Sequence, residues 1–252
     1  MTTRRARPNR AIATGVIQAA VAASIVLLGC SPASAQAYER SGAHFSVKFQ
    51  GPADEAIAYR AVEILEAAYY RIGAALNVYP TKPIEVVLHT LEQFRDITQA
   101  PSWSAGVFDG RIRVPVKGAE STPEQLTEVL SHELTHAIVA TVAGSEAPAW
   151  LHEGLAGVME QSGPADELAY LARRPERVPL SALSDSFSKI PPEAVGLAYA
   201  ESAYAVKRLI DLRGVASVVE LLRALRGGVP FENAFQAQSG LRFQDFDAMV
   251  TR

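Results

Sequence analysis

The sequence predicts an α+β protein with a small strand-rich first lobe and a helical second lobe. Between about residues 43 and 118 lie the short alternating or continuous apolar runs of strands, bounded by Pro, Gly and Asp. From Thr122 to the C-terminus apolar residues recur every three to four positions, the period of amphipathic helices. An apolar fraction of 48% over 252 residues is enough for a substantial core, and strands gathered ahead of helices give the α+β arrangement.

The first segment is expected to lie outside that fold. Arg4, Arg5, Arg7 and Arg10 make a basic start without an acid, and Ala11–Leu28 is an apolar run diluted only by Thr14, Gly15, Gln18 and Ser24. A basic region, an apolar stretch and small residues behind it read as an export signal over residues 1–29, with an uncleaved membrane anchor as the alternative. Leu27-Leu28-Gly29-Cys30 resembles the lipobox of bacterial lipoproteins, in which the cysteine is lipidated and becomes the new N-terminus. Leu28 stands where a smaller residue is usual, and Ala33-Ser34-Ala35 offers a second cleavage site, before Gln36. The expected location is the cell envelope by a lipid on Cys30, or the periplasm or exterior after cleavage at Ala35. Loss of the four arginines takes the net charge from −3 to −7, so nothing in the charge calls for nucleic acid. A single cysteine makes neither an internal disulfide nor a cysteine-based zinc site.

Residues 30–42 are small and polar and read as a tether, and residues 43–252 as one domain, with lobes at 43–118 and 119–252. His44–Phe49 alternates as a first strand. Val62, Leu65, Tyr69, Ile72 and Leu76 stripe a helix over Ala53–Asn77, and Ile84–His89 reads as a central strand. A short helix follows near Leu91–Ile97. Asp109-Gly110 signals a hairpin, whose second arm, Arg111–Val116, carries Pro115 and is therefore an edge strand. An extended peptide adds readily to such an edge; simple protection of the sheet is the alternative. Helices are expected at 122–143, 148–161, 165–173, 196–213 and 215–226, with two short ones at the end.

The first of these helices carries the chemistry. Thr122 as N-cap, Pro123 in the first turn and Gln125 completing a capping box start it cleanly. It runs into His132-Glu133-Leu134-Thr135-His136, where histidines at i and i+4 put two imidazoles on one face within reach of one metal ion. Leu130, Leu134 and Ile138 form an adjacent apolar stripe, so the helix should be buried. Catalytic zinc takes a third protein ligand, and Pro148-Ala149-Trp150-Leu151-His152-Glu153-Gly154 supplies two candidates. His152 and Glu153 project about 100° apart, so one of them faces the metal.

The run from His132 to Ala156 resembles the gluzincin zinc metallopeptidases of the bacterial peptidase MA-like superfamily, whose second motif reads Trp-Leu-x-Glu-Gly-Leu-Ala. The resemblance extends less specifically over about residues 120–250. It implies a zincin-like fold and one Zn2+ held by His132, His136 and Glu153, with Glu133 as catalytic base. His152 falls at the variable position. A metzincin is excluded, because Val139 and Val142 stand where that pattern requires Gly and His. The resemblance also points to Tyr199 as the residue that stabilises the oxyanion; Tyr204, about 140° further round the helix, is the competitor, and core packing is the alternative for both. The chain departs from the family at Gly157, where an acidic residue is common; Glu160 or a backbone carbonyl would have to orient a zinc-bound histidine instead. His44 and His89 read as structural, and Trp150 as packing the second motif against the first helix. The expected function is zinc-dependent hydrolysis of peptides or proteins in the cell envelope, with an inactive zinc-binding scaffold of the same fold as the alternative. Oligomeric state and substrate are not legible.

Overall fold

The computed structural model describes residues 38–117, 122–143, 147–160, 163 and 165–251. The expected signal (residues 1–29), Cys30 and the Ala33–Ala35 site lie outside them. Five strands make one sheet: β1 (Tyr38–Ser41), β2 (Phe45–Phe49), β3 (Ile84–Thr90), β4 (Val107–Phe108) and β5 (Ile112–Lys117). Their order is β1-β2-β3-β5-β4, parallel within β2-β3-β5 and antiparallel at both ends. β3 is central, as its run of apolar residues predicts.

β1 corrects part of the tether. Tyr38-Glu39-Arg40-Ser41 has no buried face to betray a strand, but it pairs with β2, Tyr38 stacks on Phe49, and Glu39 accepts a hydrogen bond from Ser46 Oγ at 2.8 Å. β5 is also less of an edge than Pro115 suggests. β3 flanks it along its length, and β4 covers Ile112 and Arg113; only from Val114 onward is there no second strand among the described residues.

The helices are α1 (Glu55–Leu76), α2 (Leu91–Thr98), α3 (Pro123–Ala143), α4 (Ala149–Met159), α5 (Ala165–Ala172), α6 (Pro192–Arg213), α7 (Val215–Arg226), α8 (Phe231–Ser239) and α9 (Phe243–Val250). None among the described residues is long and apolar enough to cross a membrane. α6 begins four residues earlier than its apolar stripe suggests, because Pro191 and Pro192 occupy the cap and first turn, where a missing N–H costs nothing. α3 is the hub: it packs on α1, α4, α7, β4 and β5, and Leu130, Leu134, Ile138 and Val139 are fully buried. Its start is the expected box, with Gln125 N–H donating to Thr122 Oγ1 at 3.3 Å and Thr122 N–H to the Gln125 side chain at 2.8 Å.

α4 and α6 approach so closely that only glycine fits at position 154. A Cβ there would lie 2.2 Å from the Ser202 carbonyl oxygen. Trp150, fully buried, stacks on Phe243 and meets Phe231 edge-on, so its ring also ties the start of α4 to α8 and α9. Asp247 of α9 accepts from Leu180 N–H at 2.8 Å and Ser181 Oγ at 3.2 Å, which fixes the short turn Leu180–Leu183 beneath the segment that follows it.

Glu201 on α6 is fully buried, with Arg177 Nε 3.6 Å away. Burial pushes this carboxyl up to about 7, against the opposing pull of Arg177 and the Val178 backbone N–H. The folded chain therefore binds this proton more tightly than the unfolded chain, whose glutamates titrate near ~4.3. The resulting stabilisation is complete below the unfolded value and is lost as the pH rises through about 7. Glu201→Gln removes the titration. Urea midpoints at pH 5 and pH 8 should show the native chain losing about 2 kcal/mol more than the variant across that interval. Parallel losses would refute the assignment.

Candidate metal centre

α3 delivers three residues to one spot. The His132 and His136 rings lie one turn apart with centroids 4.8 Å from each other, and Glu133 sits beside them, 5% exposed. α4 crosses α3 and brings Glu153 between the imidazoles: its Oε2 is 3.3 Å from His132 Nε2 and 3.5 Å from His136 Nε2. A tetrahedral ion with bonds of ~2.0–2.1 Å separates its donors by ~3.3–3.4 Å, so these spacings already match a shared zinc. Among the described residues His132, His136 and Glu153 are the cluster able to hold a metal ion, with donor atoms all within 4.8 Å. Two imidazole nitrogens and one carboxylate oxygen, with room left for water, are the donor set of catalytic zinc.

The second nitrogen of His132 answers the question raised by Gly157. His132 Nδ1 is 2.8 Å from Glu160 Oε1, so the acid that caps the C-terminal end of α4 orients the ring. Position 157 has no side chain, and a Cβ there would touch Ala203 of α6. Arg71 of α1 fixes the helix end that carries Glu160, donating to the Met159 carbonyl at 2.7 Å and to Ser131 Oγ at 3.2 Å. Sequence reasoning missed Arg71, which lies on an exposed turn of a helix with no motif.

Burial and charge divide the roles. Burial alone would lower His132, but hydrogen bonds donated to Glu153 and Glu160 hold it well above the usual range. Burial would raise Glu153, and the two histidines override it, holding the carboxylate ionised. Glu133 goes the other way: burial raises it, only partly offset by His136 and His132, and its Oε2 is buried without a partner. His152 lies next to His136, with ring centroids 6.1 Å apart, and burial lowers it to about 4; it stands outside the donor cluster, as a neighbour.

Tyr199 reaches the site and Tyr204 does not. The Tyr199 ring is 6.0 Å from His132, packed on Trp103 and Phe187. Burial and the charges of Glu153 and Glu133 raise its hydroxyl, which also bonds Glu153, so the phenol stays protonated. Tyr204, half-buried on the same helix, packs against the core.

An open cleft of about 750 Å³ exposes the cluster. One wall is the segment from Thr98 through β4. Gly106 in that wall lies directly against the base: a Cβ there would be 2.7 Å from Glu133 Oε1. Ser184, Ser186 and Phe187 form another rim, tied to α4 by the Ala149 N–H to Ser184 carbonyl bond at 3.0 Å. Neither rim was foreseen. A lone Trp103 among small residues was the available sign of the first.

The family model of the Peptidase MA superfamily matches residues 66–250. Comparison with curated proteins finds no match. Among solved structures the chain is similar to Legionella pneumophila aminopeptidase A in complex with aspartic acid, with a TM-score of 0.52 and 16% identity over 86% of this chain and 27% of that one. It is likewise similar to native yeast LTA4 hydrolase, with a TM-score of 0.51 and 12% identity over 84% of this chain and 38% of that one. At such identities the likeness is one of fold, and the chain spans well under half the length of either structure.

If Glu160 orients His132, Glu160→Gln should weaken zinc binding about 10–100-fold with little change in thermal stability of the metal-free protein. Competition against a fluorescent chelator reads the affinity; an unchanged affinity would remove Glu160 from the site.

Proposed function

The chain belongs to the peptidase MA superfamily, and we propose that it hydrolyses peptide bonds with one zinc held by His132, His136 and Glu153. The observation that carries this is the placement of Glu153 Oε2 at 3.3 and 3.5 Å from the two histidine nitrogens, beside a buried carboxylate, Glu133, with an unpaired oxygen. Bound there, zinc supplies a Lewis acid that polarises a carbonyl and brings the pKa of its water to about 7.

The chain's own groups do the rest. Glu133, raised by burial and flanked by Gly106, takes the proton of the attacking water and returns it to the leaving amine. Tyr199, kept protonated, donates a hydrogen bond to the oxyanion as charge develops on it. Its contact with Phe187 and Trp103 holds the ring in place, so the hydrogen bond costs little reorganisation. Glu160 on His132 supplies the orienting partner that position 157 lacks, which supports an active site over an inactive scaffold.

We place this activity in the cell envelope on the sequence alone. The basic start, the apolar run and Cys30 support export and a lipid anchor, with cleavage after Ala35 giving a soluble exported form.

Glu133→Gln should retain one zinc per chain by elemental analysis and lose about 10²–10⁴-fold in kcat on a mixed peptide library. Undiminished turnover in the variant would overturn the mechanism.

A further inference from the structure

We infer that this site cuts internal bonds of extended polypeptide and does not trim chain ends, an inference that rests on the peptidase reading above. It starts from three open cavities that follow one another along α3. The first, of about 510 Å³, touches α3 at Glu124–Leu126, Glu128 and Val129. The second, of about 330 Å³, touches it at Glu128, Val129, His132 and Glu133. The third, of about 750 Å³, touches it at His132, Glu133, His136 and Ala140. Trp103 and Ser104, from the opposite wall, line all three. Sharing that wall and successive turns of α3, the three cavities are taken together as one trough between α3 and the Thr98–Phe108 segment.

From Glu124 to Ala140, α3 rises ~24 Å at ~1.5 Å per residue. An extended peptide at ~3.3 Å per residue covers that length with about seven residues. His132 lies midway. A substrate lying in the trough thus continues past the metal on both sides, which is what cleavage of an internal bond demands.

An exopeptidase needs a charged group at a fixed distance from the metal to hold a chain end. Among the described residues no lysine or arginine lines the two cavities that touch His132, so none of them pairs there with a C-terminal carboxylate. Of the carboxylates lining them, Glu153 bridges the two histidines, Glu160 holds His132, and Glu133 is the base. Among the described residues Glu128 remains as the acid that a free amine would use, and it lies in the field of Arg71. At the far end Leu91, Val114 and Leu126 face the first cavity, beside Arg95. That end suits an apolar side chain about three residues from the scissile bond, by the same rise per residue.

The test compares zinc-loaded protein on three substrate sets: heptapeptides blocked at both ends, blocked dipeptides and tripeptides of the same central sequence, and amino-acid amides with a free amine. The inference predicts cleavage of the blocked heptapeptides with kcat/KM at least about tenfold above the short blocked set, and no preference for the free-amine amides. Binding is read separately in zinc-loaded Glu133→Gln by tryptophan fluorescence. Trp103 lines the trough and Trp150 is fully buried, so a blocked heptapeptide should change the emission, and Trp103→Phe should abolish that change. Cleavage confined to free-amine substrates and lost in Glu128→Gln would overturn the inference and leave the peptidase reading standing. Binding without length dependence would also overturn it. No cleavage and no binding of any peptide would overturn the peptidase reading, and this inference with it.

Discussion

The imidazole of His132 is held from both sides by α4: Glu153 stands 3.3 Å from one nitrogen and Glu160 2.8 Å from the other. The remainder of the site depends on that double contact. It sets the direction in which His132 presents its Nε2, and it requires α4 to cross α3 at a fixed height. Two features hold that height. Gly154 lets α4 settle against the Ser202 backbone of α6, and Arg71 ties the α4 end to Ser131, the residue next to His132. The stacking of Trp150 on Phe243 then anchors the start of α4 to the C-terminal helices. A metal ion bound here would tie α3 to α4.

The electrostatics follow from the same arrangement. Two glutamates share a buried corner yet are driven apart in acidity: two flanking imidazoles keep Glu153 ionised, whereas Glu133 is raised by its burial. The first is suited to holding a cation and the second to exchanging a proton, and α3 supplies one while α4 supplies the other. Glu133 has space only because position 106 lacks a side chain, so the wall segment is part of the same construction as the helices.

Much of this was legible in the residues, and what was not has physical causes. The start of α3 and its paired histidines are local patterns, complete within one helix, and they fold as their spacing dictates. Adjacent His152 and Glu153 could not be ranked by spacing; a family resemblance favoured Glu153, and the crossing of α4 over α3 is what turns it inward. Glu160 was one of two candidates for the orienting partner, since its position relative to His132 depends on where α4 stops. β1 was hidden because it is a polar edge strand with no buried face, and the start of α6 because two prolines interrupt the apolar period. Gly106, Trp103 and Arg71 carry no periodic signal at all. Their importance comes from long-range proximity that no local pattern encodes.

Zinc-edge X-ray absorption on the loaded protein tests the central claim most directly. The account predicts a four-coordinate ion with two imidazole nitrogens and a carboxylate oxygen at ~2.0–2.1 Å, one imidazole being lost in His136→Ala. An all-oxygen shell, or a spectrum that His136→Ala leaves unchanged, would contradict it.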